Sequence, residues 1–275
     1  MENKNSHESH NENSPTILTE IKAGVLSITL NRPKVINSFN EEMHRELSDA
    51  LHIAEQEESV RCVLLSGAGR GFCAGQDLND RRAIIHGGQA ADLGYTIETF
   101  YNPLIRRLTT LPKPVVCAVH GVAAGAGLSI ALAADIVIAA RDASFMQAFC
   151  RIGLTPDAGG SWFLPHKIGH TRAMAMAMLG DKISAEQALE WGMIWQLFEP
   201  EALAEKAWEL AQRLAAQPTL SLACIKQATY AATSNTLDQQ LDLERDLQRQ
   251  CGRSEDFQEG ISAFIEKREP RFKGR

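Results

Sequence analysis

The sequence predicts an α/β fold, and three observations support this. Short apolar runs typical of buried strands alternate with segments of helical periodicity, and the last third of the chain shows helical patterns alone. With 275 residues, 44% of them hydrophobic, the chain can bury one large domain or one domain with a helical appendage. We expect a flexible polar tail at residues 1–14, a core at 15–200 and a helical C-terminal region at 201–275.

The first structured segments form a hairpin and a helix. "TILTEI" and "VLSITL" alternate as strands do, the turn "KAG" joins them, and Pro33 ends the second strand. "SFNEEMHRELSDALHIAEQEE" follows with Met43, Leu47, Leu51 and Ala54 at helical spacing behind a Ser/Asn start, which predicts an amphipathic helix.

Two buried strands are then predicted at "RCVLLSG" and "PKPVVCAVHG", separated by the amphipathic stretch "IETFYNPLIRRLTTL". A small-residue helix, "AGAGLSIALAA", and a further strand, "DIVIAA", come next. Beyond Asp157 the patterns are overwhelmingly helical, and "QPTLSLACIKQATYAA" and "TLDQQLDLERDLQRQ" could pack on the core or on a neighbouring subunit.

Composition narrows the class of protein. The 28 basic and 34 acidic residues give a net charge of −6 without a long basic stripe, so a nucleic-acid partner is not expected. Six scattered cysteines without a CxxC pair favour a reducing compartment and no structural metal. The sequence shows neither a secretory signal nor a membrane-spanning stretch, so we expect a cytoplasmic protein without a membrane partner.

Two glycine-rich stretches follow predicted strands. "SGAGRGF" spaces Gly67, Gly69 and Gly71 as GxGxG, so a tight turn is favoured over a dinucleotide site, which needs GxGxxG before a helix. "GVAAGAG" leads directly into a helix, so N–H groups near Ala126 could hold an anion or a developing oxyanion. Close packing of helix on sheet explains the second stretch equally well.

Two side chains are candidates for chemistry. Cys73 in "FCAGQDL" could be a nucleophile, but nothing pairs it with His120, and a GxSxG serine elbow is absent from the sequence. Asp157 in "RIGLTPDAGGSW" could cap the helix that follows. Alternatively, its apolar neighbours would favour the protonated carboxyl, which suits a proton shuttle.

Several motifs taken together resemble the enoyl-CoA hydratase/isomerase (crotonase) superfamily in order and spacing. They are "NRPKVINSF", "GAGRGFCAGQDL", "GVAAGAGLSIALAADIVIA", "GLTPDAGGSWFLP", "ISAEQALEWGM" and "AFIEKREPRF", and they cover residues 16 to 273. The resemblance implies a spiral of ββα repeats with a helical C-terminal trimerisation region. It also implies acyl-CoA thioester substrates, with no separate cofactor because CoA is part of the substrate.

The same resemblance implies roles for individual residues. An oxyanion hole would be formed by the backbone N–H groups of Cys73 and Ala126. Phe264 and Lys267 would reach an adenine or phosphate of CoA from a neighbouring subunit in a homotrimer or dimer of trimers. The stretch "DLNDRRAIIHGGQAADLGYTIETFYNPL" would line the acyl pocket. The other implied binding positions are Arg32, Lys34, Val35, Ala74, Gly75, Gln76, Asp77, Leu78 and Gly125.

The acids depart from the hydratase pattern. Hydratases of the family carry two glutamates where this chain has Ser129 and Phe149, whereas Asp157 matches the position from which isomerases act. Hydration needs both carboxylates, so the resemblance implies an acyl-CoA isomerase with Asp157 as acid and base. In "GAGRGFCAGQDLNDR", "FYNPLIRRL", "LDLERDLQR" and "GRSEDFQEGISAF" the chain looks most like family members that isomerise a ring epoxide, so this resemblance implies a ring-epoxide substrate. A Δ3,Δ2-enoyl-CoA isomerase and a non-catalytic acyl-CoA-binding subunit are the alternatives.

Overall fold

The computed structural model describes residues 14–78 and 92–275. Its strands, in chain order, are β1 Ile17–Lys22, β2 Val25–Leu30, β3 Cys62–Gly67, β4 Val115–Val119, β5 Val122–Ala124, β6 Ile136–Ala140, β7 Ser144–Met146, β8 Lys182–Ser184 and β9 Gln196–Phe198. Six of them form a sheet in the order β1-β2-β3-β4-β6-β9. The β1–β2 hairpin is antiparallel and the remaining pairs are parallel.

The second sheet is small, with strand order β5-β7-β8. Strand β5 pairs in parallel with β7, and β7 pairs antiparallel with β8. An isolated bridge between Cys73 and Ala123 joins the glycine-rich loop after β3 to this sheet. The small sheet therefore connects the loops in which the sequence motifs lie.

Helices surround both sheets. They are α1 Glu41–Gln56, α2 Asn102–Thr110, α3 Ala126–Leu132, α4 Gly160–Ile168, α5 His170–Leu179, α6 Ala185–Glu190, α7 Pro200–Ala215, α8 Thr219–Ala231, α9 Leu237–Cys251 and α10 Glu255–Glu266. Helix α2 is preceded by a helical turn at Leu93–Thr96 and a π-helical segment at Ile97–Tyr101. Side chains cap several N-termini; for example, the Asn40 side chain accepts from the N–H of Met43 at the start of α1.

The central strands β2, β3, β4 and β6 of the large sheet are largely buried on both faces, as is typical of parallel strands. Successive residues of β3 point to opposite faces, so Val63 and Leu65 join the main core with α1 and α3, while Cys62 and Leu64 join a second cluster. Helix α7 closes that second cluster with Leu203, Ala207, Leu210, Ala211 and Ala215. The first helix beyond residue 200 thus packs on the sheet, and the domain division there stays a prediction.

The α/β class, the hairpin, the long helices and the helical C-terminal region expected from the sequence are confirmed. Strands β5, β7, β8 and β9 were not predicted, and each has only three residues. Most of the predicted polar tail, residues 1–13, lies outside the described residues. Within the described ranges, a helix long and apolar enough to cross a bilayer is not found.

Candidate active site

Asn37 connects the turn after β2 to the glycine-rich loop after β3. Its Nδ2 donates to the carbonyl oxygens of Ala68, Gly71 and Phe72 at 2.9, 2.9 and 3.0 Å. Its Oδ1 accepts from the N–H of Arg32 at 2.8 Å. The side chain is fully buried and its backbone φ is 51°, a left-handed conformation that asparagine tolerates better than most residues. One side chain therefore fixes two loops.

The Arg32 guanidinium forms a second connection. It pairs with Asp77 Oδ2 at 3.0 Å and donates to the carbonyl of Ser38. Asp77 is buried, with 6% of its side chain exposed. Of the predicted CoA-binding residues, Arg32 and Asp77 thus bind each other and hold the segment between them in place.

The glycine-rich loop is a tightly packed turn, as the sequence favoured over a dinucleotide site. Gly69 has φ 79°, and a Cβ built on it would lie 2.5 Å from Pro33 Cβ. A Cβ on Gly71 would lie 2.9 Å from Ile36 Cγ2. These glycines let the loop approach the turn at Pro33–Val35, because a side chain at either position would collide with it.

Cys73 is fully buried, and burial raises the pKa of its thiol to about 12. Its Sγ donates to the carbonyl oxygen of Asn37 at 3.1 Å. A thiol that stays protonated and inaccessible is not a nucleophile. The backbone N–H of Cys73 donates to the carbonyl oxygen of Val122 at 3.0 Å. The expectation that this N–H faces a substrate oxygen is therefore corrected, because the small sheet already uses it.

The N–H of Gln76, three residues further along the chain, is the alternative candidate for the donor expected at Cys73. The N–H of Asp77 donates to Phe39 O at 2.9 Å, and successive N–H groups of an extended segment alternate in direction, so that of Gln76 points away from Phe39. Within residues 14–78 and 92–275 it finds no acceptor. The Gln76 side chain is held by Tyr101 Oη at 2.8 Å and by Phe39 O at 3.0 Å.

Ala126 lies beside this segment at the first position of α3. A Cβ built on Gly75, which has φ 93°, would lie 3.3 Å from Ala126 N. The preceding Gly125 has φ 53° and donates its N–H to Met146 O at 2.9 Å. Being at the start of a helix, the Ala126 N–H has no intrahelical acceptor. Among the described residues, the N–H groups of Gln76 and Ala126 thus have no acceptor, and they lie on adjoining segments.

Asp157 lies in the turn between a 3₁₀ segment, Ala148–Ile152, and α4. It is half-buried, with Oδ1 shielded from solvent. Its carbonyl oxygen accepts from the N–H of Gly160 at 2.8 Å, and Ala158 and Gly159 both have positive φ, 49° and 78°. Gly159, not Asp157, is the N-cap residue of α4, so Asp157 lies two residues before the cap. Left-handed Ala158 is the kind of strain found at functional turns.

The turn packs on Ser129 and Gln147. A Cβ built on Gly160 would lie 2.6 Å from Ser129 Oγ and 3.0 Å from Gln147 Nε2. Both side chains are fully buried, and in the described part of the chain neither polar atom of Gln147 finds a hydrogen-bond partner. The two positions that hold glutamate in hydratases thus present the buried hydroxyl of Ser129 and the ring of Phe149, beside the turn that carries Asp157.

The remaining predicted binding residues lie at different distances from this site. Lys34, Ala74 and Leu78 are exposed and Val35 is half-buried, all on segments next to the Arg32–Asp77 pair. Phe264, 84% exposed, and Lys267 lie at the end of α10. In the described part of a single chain, neither of the two forms a hydrogen bond or ion pair with Arg32, Asp77 or Asp157. Part of the stretch expected to line the acyl pocket, residues 79–91, lies outside the described residues.

The chain resembles known proteins over most of its length. The family model of enoyl-CoA hydratase/isomerase matches residues 20–275. The chain is 59% identical to the 1,2-epoxyphenylacetyl-CoA isomerase of Escherichia coli (strain K12), over 94% of this chain and 98% of that protein. It is 37% identical to the trans-2-decenoyl-[acyl-carrier-protein] isomerase of Streptococcus mutans serotype c (strain ATCC 700610 / UA159), again over 94% and 98%.

A solved structure shows the same fold. The enoyl-CoA hydratase from Bacillus anthracis superposes with a TM-score of 0.88 at 32% sequence identity, covering 94% of this chain and 100% of that one. The resemblance read from the motifs, and the fold class it implied, are thereby confirmed. This chain belongs to the enoyl-CoA hydratase/isomerase family.

Proposed function

We propose that this protein is an acyl-CoA isomerase whose preferred substrate is ring-1,2-epoxyphenylacetyl-CoA and whose product is the corresponding seven-membered oxepin-CoA. The relative from Escherichia coli, 59% identical over almost the whole chain, supports the substrate. The observation that carries the reaction type is the turn at Asp157. It packs on helix α3 beside Ala126, while Ser129 and Phe149 occupy the positions where a hydratase needs carboxylates.

The thioester oxygen accepts hydrogen bonds from the N–H groups of Gln76 and Ala126. Both donors are fixed before substrate binds, Gln76 by its side-chain bonds to Tyr101 and Phe39, Ala126 by the start of α3. They stabilise the enolate that forms when a proton leaves the adjacent carbon. Removing one such donor typically costs about 2.7–4 kcal/mol of transition-state stabilisation.

Asp157 takes that proton and returns it to another carbon of the acyl group. One carboxylate is sufficient, because isomerisation moves a proton within the substrate and adds nothing from water. Hydration would require a second carboxylate to activate water, and neither Ser129 nor Phe149 supplies one. With a ring epoxide, the same charge stabilisation supports opening to the oxepin.

CoA is bound as part of the substrate, and a separate cofactor is not required. Lys34, Val35, Ala74 and Leu78 line its path next to the oxyanion donors. Among the described residues, a cluster of three or more metal-ligating side chains is absent. All six cysteines are free, as suits the cytoplasm, where we place the protein.

The active assembly is a homotrimer or a dimer of trimers, in which Phe264 and Lys267 reach the CoA site of a neighbouring subunit. Exposed apolar side chains on α9 and α10 support this arrangement, since faces of this kind are usually covered. They are Leu237, Leu241, Phe257, Ile261, Phe264 and Ile265. Light scattering should give three or six times the chain mass of 30.2 kDa; a monomer would contradict the assembly.

The function is tested by turnover of ring-1,2-epoxyphenylacetyl-CoA, generated in situ, beside a linear 3-enoyl-CoA. We expect a large preference for the epoxide; a large preference for the linear substrate would favour the Δ3,Δ2-enoyl-CoA isomerase. Asp157→Asn should lower kcat for either substrate by about 10²–10⁴ while CoA affinity and melting temperature stay unchanged. Near-normal turnover in that variant would contradict the role of Asp157. CoA binding without turnover by the unmodified protein would favour a non-catalytic subunit.

A further inference from the structure

A second cleft lies at the N-terminal ends of the strands of the large sheet, opposite to the candidate active site. Its volume is about 380 Å³, and it opens between α4, α8 and the end of α7. Pro114 and Asp135, which precede β4 and β6, lie at its base, whereas the loops of the active site follow the other ends of the strands. A ligand in this cleft would therefore not occupy the thioester site.

The walls of the cleft are apolar and partly aromatic. The rings of Trp162 and Tyr230 lie nearly parallel, with centroids 6.1 Å apart and an interplanar angle of 22°. Phe163, Leu214, Leu222 and Ile225 complete the wall. Ile225 is 58% exposed and Trp162 is 39% exposed. Such a surface favours a flat, apolar ligand body.

The charges at the base of the cleft do not balance. Lys226 Nζ pairs with Asp135 Oδ2 at 2.9 Å and donates to Leu108 O at 2.7 Å, and the same Asp135 oxygen accepts from the N–H of Val115 at 2.8 Å. Lys167 lines the same cleft, and in the part of the chain that the structure describes its Nζ has no acceptor within hydrogen-bonding distance. Two ammonium groups therefore lie near one carboxylate, whose Oδ2 is held by Lys226, while Lys167 is attracted to it without a hydrogen bond.

The position of the Lys167 ammonium is energetically unfavourable. Burial lowers the pKa of Lys167, and the attraction of Asp135 only partly opposes this shift. Lys167 is half-buried, and a partly desolvated ammonium beside apolar walls gains free energy when an anion pairs with it, because the anion replaces the lost hydration. The cleft is therefore complementary to a ligand that has one negative charge and an apolar body.

We propose that the cleft binds a small monocarboxylate with an aromatic body. The carboxylate pairs with Lys167, and the ring packs on the wall formed by Trp162, Ile225 and Tyr230. The site is independent of the acyl-CoA chemistry, so it can be present or absent whatever the substrate of the active site.

The test uses the full chain with phenylacetate as probe and phenylacetamide as its neutral counterpart of the same shape. Calorimetry should show phenylacetate binding at least tenfold tighter than the amide. Lys167→Gln should remove that tenfold difference, whereas Lys182→Gln, a change at an exposed lysine of β8, should leave it intact. Binding should quench tryptophan fluorescence, and Trp162→Phe should abolish the quench.

Three results would overturn the proposal. They are the absence of saturable phenylacetate binding, equal affinity for acid and amide, and an affinity unaffected by Lys167→Gln. If a second copy of the chain covered the cleft, the assembled protein would show no saturable phenylacetate binding. Melting curves of the variants, expected to match that of the unmodified chain, ensure that lost binding is not lost folding.

Discussion

The two sides of the candidate active site are held in different ways. On the oxyanion side, Asn37 alone makes four hydrogen bonds to loop backbone, and the Arg32–Asp77 ion pair adds another connection. On the acid–base side, the turn of Asp157 is positioned by two consecutive left-handed residues and by the contact of Gly160 with Ser129. Side-chain hydrogen bonds and an ion pair hold one side, whereas close packing and a backbone hydrogen bond from Gly160 to Asp157 hold the other.

This difference matches the chemistry proposed for each side. An oxyanion hole works only if its donors are in place before the charge develops, so its segments must not relax. The carboxylate must instead reach two carbons in turn, which a turn held by packing allows. Weakening one side by a substitution or by acid shows whether the other side depends on it.

The largest effect is expected for Asn37→Ala. Four hydrogen bonds disappear and buried carbonyls lose their donor, so the free energy of unfolding should fall by about 4 kcal/mol. CoA affinity and turnover should fall with it, as measured by urea denaturation and calorimetry. A loss below about 1 kcal/mol would show that the loops are held by other contacts.

Gly160→Ala should weaken the packed side. The new methyl would lie 2.6 Å from Ser129 Oγ, and overpacking of this kind costs about 1–3 kcal/mol. We expect turnover to fall while CoA affinity is retained. Ser129→Ala in the same chain removes the nearest clashing atom and should restore part of the stability; additive losses in the double variant would contradict the contact.

Lowering the pH should destabilise the oxyanion side because it favours protonation of His44. This buried histidine contacts Phe39, Phe100 and Tyr101, and burial lowers its pKa from 6.5 to about 4. The unfolded chain binds the proton more readily, so stability is full above pH 6.5 and is lost as pH falls towards 4. Between pH 7 and 5 the loss from this group should be about 2 kcal/mol. In denaturation experiments, the His44→Phe variant should not show this loss of stability between pH 7 and 5. An equal loss in the variant and the unmodified protein would contradict the role of His44.

The smallest effect is expected for Tyr101→Phe. The hydroxyl bond to Gln76 Oε1 at 2.8 Å disappears, while the bond from Gln76 to Phe39 remains. Looser positioning of the Gln76 N–H should lower kcat about fivefold, equivalent to about 1 kcal/mol, without changing CoA affinity. An unchanged kcat would mean that the backbone alone fixes this donor.

Much of the fold could be predicted from the sequence because its longer elements carry strong patterns. The five longer strands and the helices α1, α2, α3, α8 and α9 were predicted individually, and α7 and α10 only as part of a helical C-terminal region. Strands β5, β7, β8 and β9 are too short to show periodicity. The packed turn at Gly69 was also predicted, because glycine spacing distinguishes it from a dinucleotide site.

The site was predicted less completely, for a geometric reason. Gly75 lies between Cys73 and Gln76, and its φ of 93° decides which of the two N–H groups faces the site. The sequence does not reveal that angle. Asn37 was missed because its role depends on carbonyls more than thirty residues away. An asparagine directly after a Pro-containing turn was the available signal.

The burial of the cysteines has a practical consequence for labelling. Burial raises the thiol pKa of Cys62 and Cys73 to about 12 and that of Cys224 to about 11, and it also raises that of Cys117. Maleimide reagents at neutral pH should therefore modify the half-buried Cys150 and Cys251 first. Since Cys150 adjoins Phe149, a fluorophore attached there would lie beside the acid–base turn without any engineered residue.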